Sequence, residues 1–148
     1  MFALQHRVRV FVFQVLEQEV QYLLLRQKPV TEWDLGPVVG AVDLGEKMND
    51  AVVRQVELET GIRTPLHIIE LAQPQKELFG DVGLVEWPYA YQAGTPTQPV
   101  QDLEPGPMIG EWAWWAFAEA YQKVGTGSDR DSLVRLQLRL ASPGGGAP

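Results

Sequence analysis

With 148 residues, the chain is long enough for one domain with a sizeable core. Its content, 45% hydrophobic and 21% charged, is that of an ordinary globular protein, and no apolar run reaches the roughly 20 residues needed to span a bilayer. Nineteen acidic against 12 basic residues leave a net charge of −7. That balance argues against non-specific binding to duplex nucleic acid, where Lys and Arg must neutralise phosphates. It does not bar a nucleotide, because a bound divalent cation reverses the local sign. The absence of cysteine excludes disulfides, Cys-ligated zinc and thiol catalysis, and suits a cytoplasmic protein. His6 and His67 are too few for a His-rich metal site.

The opening MFALQHRVRVFVFQV alternates like a strand and lacks a signal-peptide layout. Residues from about Arg7 to Leu16 are β-branched and aromatic and read as a strand. Polar Glu17 to Glu19 make a turn, and Val20 to Arg26 complete a hairpin. Pro29 ends it, Thr31 to Pro37 are loop, and a short apolar segment follows from Val38 to Val42. From Lys47 to Thr60 the apolar positions Met48, Ala51, Val52, Val56 and Leu58 recur at mostly helical spacing. Gly61 is the expected stop, since glycine takes the left-handed conformation without penalty.

Two strands are expected next, Leu66 to Ala72 and Leu78 to Trp87. Between Pro88 and Gly110 five prolines and three glycines accumulate, which predicts a long loop. Glu111 to Phe117 reads as a strand that places Trp112 and Trp114 on one face and Trp115 on the other. Ala118 to Val124 reads as a short helix, and Ser128 or Asp129 is a candidate cap for a last helix through Leu140. Residues 1–142 are expected to form a single domain, with 143–148 a disordered Gly/Pro tail. The mixed order of elements predicts an α/β fold, a sheet covered on both faces by helices.

The stretch GAVDLGEKMNDAVVRQVELETGI, Gly40 to Ile62, carries a motif. Gly40, Glu46, Arg54, Val56, Glu59, Gly61 and Ile62 stand at the spacing of the Nudix box, G-x5-E-x7-R-E-U-x-E-E-x-G-U with U aliphatic, which the stretch resembles. Gln55 and Leu58 stand where that pattern has glutamates. Trp33 in EWDLGPVVG resembles the tryptophan that often begins the family's W-x-L-P-G-G run. EWAWWAFAEAY resembles the late strand leading into a helix with a Glu-Ala pair, here Glu119-Ala120. The resemblance implies an α/β/α sandwich with a mixed sheet.

It also implies a MutT-like pyrophosphohydrolase that cleaves a nucleoside diphosphate linked to another group. Mg²⁺ or Mn²⁺ would neutralise the diphosphate and orient water. Positions 55, 58 and 59 lie within a ~100° arc of a helix, and here that arc presents Gln55, Leu58 and Glu59. Glu57 points away from it and is expected to pair, if at all, with Arg54. The metal ligands implied are Glu59 and the backbone carbonyl of Gly40, with Gln55 offering an uncharged oxygen. Glu46 and Arg54 are expected to pair and shape the loop, and Trp33 is a candidate substrate contact. Glu77, Asp81, Glu86 and Glu104 are candidate donors of a general base, with nothing to choose among them. Two functions follow. One is a hydrolase with an eroded metal site and weak activity. The other is a catalytically inactive module binding a nucleotide-like ligand or a protein. An exposed tryptophan of the late strand would stack on a base or enter a homodimer interface.

Overall fold

The computed structural model describes residues 3–28 and 35–141. Ten elements follow in order: β1 (Ala3–Val15), β2 (Val20–Gln27), β3 (Val38–Ala41), α1 (Met48–Thr60), β4 (His67–Glu70), β5 (Gln75–Phe79), β6 (Val82–Gly94), β7 (Ile109–Ala116), α2 (Phe117–Lys123) and α3 (Gly127–Ala141). The strands form one seven-stranded sheet whose main path is β4-β6-β1-β2-β7. β1 and β6 run parallel and every other pair is antiparallel, so the sheet is mixed.

Alternation along β1 decides the layers. Val8, Val10 and Val12 point to one face, where they join Ala51, Val52 and Val56 of α1 in a single apolar cluster. Phe11 and Phe13 point to the other, against Ala120 of α2 and Leu133 and Leu136 of α3. The expected sandwich is therefore observed. Trp112 and Trp114 pack on the α1 side and Trp115 on the other, where the Lys123 ammonium lies 4.2 Å from its ring centre. Among the described residues no helix is long and apolar enough to cross a membrane.

Both long strands divide an edge between two partners. On one edge β1 pairs with β3 over Arg7–Val10 and with β2 over Phe13–Val15. On the outer edge of β6, β5 pairs up to Glu86 and β4 from Tyr89. Pro88 falls between these two partners. It has no N–H to offer a ladder, so the gap is where a proline is tolerated in a strand.

Three expectations require correction. The strand expected over Leu78 to Trp87 is a hairpin, with β5 and β6 turning at Gly80 (φ 61°). The loop expected from Pro88 begins only after Gly94, because β6 runs through the proline. Asp129 does not cap the last helix. Its own N–H donates to Thr126 Oγ1 at 3.1 Å, and its carboxylate is buried in a pair with Arg9. Trp33 and the tail from 142 onward lie outside the described residues.

That pair ties α3 to the sheet. Arg9 Nε and Nη2 donate to the two Asp129 oxygens at 3.0 and 2.6 Å, a parallel fork across 120 residues of chain. Asp129→Ala would leave Arg9 with one shared counter-charge where water has little access. We expect a loss of about 3 kcal/mol in urea unfolding. A loss below about 0.5 kcal/mol, the level of an ordinary surface change, would show that α3 is held by its leucines alone.

Candidate functional site

The loop from Ala41 to Lys47 is built around an arginine fork. Arg54, in the second turn of α1, donates Nε to Glu46 Oε2 at 2.8 Å and Nη2 to Glu46 Oε1 at 2.9 Å. Nη2 also donates to the Ala41 carbonyl at 2.8 Å. The Asp43 N–H donates to Glu46 Oε1 at 2.9 Å, and Gly45 makes the turn with φ 78°. The Arg54 hydrogen bond, with that of the Asp43 N–H, lowers the Glu46 pKa to about 2. Glu46 and Arg54 are thus paired as expected. The expected Arg54–Glu57 pair is absent among the described residues, since Arg54 is committed to the loop and Glu57 lies 3.7 Å from Arg63 instead.

α1 ends as its sequence requires. Gly61 (φ 80°) donates its N–H to the Glu57 carbonyl at 2.8 Å. The last carbonyls are taken by the loop before β7: Glu104 N–H donates to Thr60 O at 3.0 Å and Gly106 N–H to Glu59 O at 3.1 Å.

The face of α1 expected to hold a cation is differently occupied. Gln55 is buried, and its Nε2 donates to the Ala41 carbonyl at 3.3 Å. A Cβ on Gly40 would lie 2.0 Å from Gln55 Cδ. Gly40 therefore serves to admit the carboxamide, which lies flat against its backbone. Leu58 is 56% exposed and offers no donor atom. Glu59 is half-buried in a cleft with Gln27, Pro37 and Val39, and burial raises its pKa.

Hard divalent cations seek several oxygens, with carboxylates foremost. Among the described residues no three Asp, Glu, His or Cys side chains come together. The family's Mg²⁺ or Mn²⁺ does not fit this donor set: an amide N–H faces the loop carbonyl, a leucine stands at one ligand position, and one carboxylate is left. The four candidate bases do not repair this. Glu77 and Asp81 belong to the β5–β6 hairpin, Glu86 is paired with arginines, and Glu104 meets the end of α1 through its backbone.

One cluster escaped the sequence reading. Arg7 and Arg9 extend the β1 face of Phe11 and Phe13, and Glu86 Oε2 accepts from Arg7 Nη2 at 3.1 Å and Arg9 Nη1 at 3.3 Å. The two arginines, with Gln27, Pro37 and Val39, wall a cavity of about 310 Å³ where β2 and β3 part. The signal was present in the sequence: arginines at alternate positions of an apolar strand place two cations on one face of a sheet.

A mixed sheet between helices, with a glycine loop clamped by an arginine ahead of α1, is the frame that the Gly40–Ile62 motif implies. The family model described as NUDIX domain matches residues 5–136, and the chain belongs to the Nudix family. Similar solved structures include a C. elegans Ap4A hydrolase binary complex (TM-score 0.75, 16% identity, 93% of this chain and 98% of that one). Others are the NUDIX domain of Shewanella oneidensis NrtR complexed with ADP ribose (0.71, 17%, 95% and 90%) and a MutT protein from Methanosarcina mazei Go1 (0.68, 18%, 95% and 98%). No curated protein matches by sequence.

Two outcomes test the site. Gly40→Ala should cost about 1–3 kcal/mol in chemical denaturation by overpacking, and adding Gln55→Ala should recover part of it. Full cost in the double variant would show that the carboxamide is not what Gly40 admits. For Glu59, burial raises the folded pKa above the ordinary 4.5. The contribution to stability is then complete below the unfolded pKa and is lost as pH rises through the folded one. Glu59→Gln should therefore raise Tm at pH 7, with the gain shrinking toward pH 4. An equal effect at both pH values would contradict the assignment.

Proposed function

We propose that this chain is a Nudix domain that binds a nucleoside diphosphate derivative and does so without a divalent cation. The observation that carries the reading is the Gln55 carboxamide. It donates to the Ala41 carbonyl and covers Gly40, so an N–H stands where a cation would be met by oxygen. The ADP ribose in the Shewanella oneidensis NrtR domain supports the ligand class. The cavity at the parting of β2 and β3, polar at Arg7, Arg9 and Gln27 and apolar at Pro37 and Val39, suits a ligand with an anionic and an apolar part.

The test is thermal stabilisation by ADP-ribose and by ADP, each with EDTA and then with Mg²⁺ or Mn²⁺. A ligand at a hundred times its Kd adds about 2.7 kcal/mol to the folded state. The stabilisation should be the same with and without the chelator. Stabilisation that requires the metal ion would overturn the reading.

A second reading, hydrolysis through an eroded site, is favoured by the complete Arg54–Glu46 fork and by a half-buried Glu59 in a cleft that shares Gln27, Pro37 and Val39 with the cavity. Turnover of dinucleotides and nucleotide sugars above that of a Glu59→Gln control would establish it. The double variant Gln55→Glu with Leu58→Glu separates the two. Metal-dependent turnover found only in that variant means a working pocket beside a disabled metal face.

A further inference from the structure

The two arginines on the face of β1 are not equivalent. Arg9 is fully committed, with Nε and Nη2 on Asp129 and Nη1 on Glu86. Arg7 donates through Nη2 alone, to the same Glu86 oxygen that Arg9 uses. Among the described residues its buried Nε has no partner, and no hydrogen bond from Nη1 is formed. A guanidinium with spare donors and half a counter-charge is held ready for an anion.

Its position fits that role. Arg7 pairs with Ala41 across the β1–β3 ladder, so it lies beside the start of the glycine loop. It lines the cavity of about 310 Å³ and also a second one of about 550 Å³ along Ala41–Glu46. Gln27, Pro37 and Val39 wall both the first cavity and the cleft that holds Glu59. Glu59 and Arg7 thus lie in two spaces that share these walls.

Resting on the metal-free reading above, we infer that Arg7 receives the diphosphate of the ligand, a fixed guanidinium standing in for the divalent cation that this chain does not hold. The planar guanidinium presents parallel N–H groups to two phosphate oxygens. Glu86 holds the side chain over the cavity and at the same time competes with the ligand for it.

Calorimetric titration of the full chain with ADP, inorganic diphosphate and adenosine in EDTA tests this. Arg7→Gln should weaken ADP and inorganic diphosphate by about tenfold or more while leaving adenosine unchanged. Arg7→Lys, which keeps the charge and loses the fork, should fall between. Glu86→Gln should tighten both anionic probes several-fold, a gain that a misfolded variant cannot imitate. Arg139→Gln, the same charge change on the exposed side of α3, should alter nothing. If ADP binds the wild type in EDTA and Arg7→Gln binds it equally well, or if Glu86→Gln fails to tighten the anionic probes, the role of Arg7 is overturned. If the wild type binds no nucleotide, the proposed function fails first.

Discussion

The molecule is organised by the way β1 gives away one edge. Its middle, Arg7–Val10, is paired by β3 and its last residues by β2, so the two partners diverge from a common strand. A sheet cannot remain closed where two neighbours leave the same edge in different directions. The gap becomes a crevice, and β3 carries the glycine loop to its rim. β6 repeats the arrangement on its outer edge with β5 and β4. The second opening, of about 660 Å³, lies between the strand ends and α3. Arg9 lines both openings.

Charge is distributed within that frame by solvation. Arg54 and Glu46 sit at the rim, where their fork shapes a loop. Arg9 and Asp129 sit deeper, where a lone charge would be costly and a bidentate pair is required. On α1, beside the loop, a carboxamide and a leucine stand where two carboxylates were expected. Three clustered carboxylates repel one another until a cation arrives, and among the described residues no such cluster forms. The acidic excess of the whole molecule makes the two arginines at the crevice, Arg7 and Arg9, more consequential.

Much of this was readable from the chain, and the boundary follows sequence distance. The loop and α1 were legible because their interactions are local: Arg54 reaches Glu46 eight positions away, and Gly61 closes the helix on its own last turn. The layers were legible because the β1 side chains alternate. Asp129 was misread because an aspartate near a helix start is ordinarily a cap, and nothing local betrays a partner 120 positions earlier. The β5–β6 hairpin was hidden by an apolar run on either side of Gly80. Pro88 misled because its cost depends on whether a neighbour needs its N–H, which only the parting of β5 and β4 reveals.

The loop between β6 and β7 is fastened to the end of α1 at two points, through the N–H groups of Glu104 and Gly106. Any Cβ at Gly106 would lie 2.5 Å from the Leu58 carbonyl oxygen, so the second fastening admits no larger residue. Its earlier part, around Thr95 and Gln98, is bound mainly to itself and to Gln14. Insertions are therefore affordable only upstream of Glu104. In a lineage of such chains, new loop length would accumulate over the far end of β1, while the segment overlying the helix terminus kept a constant span.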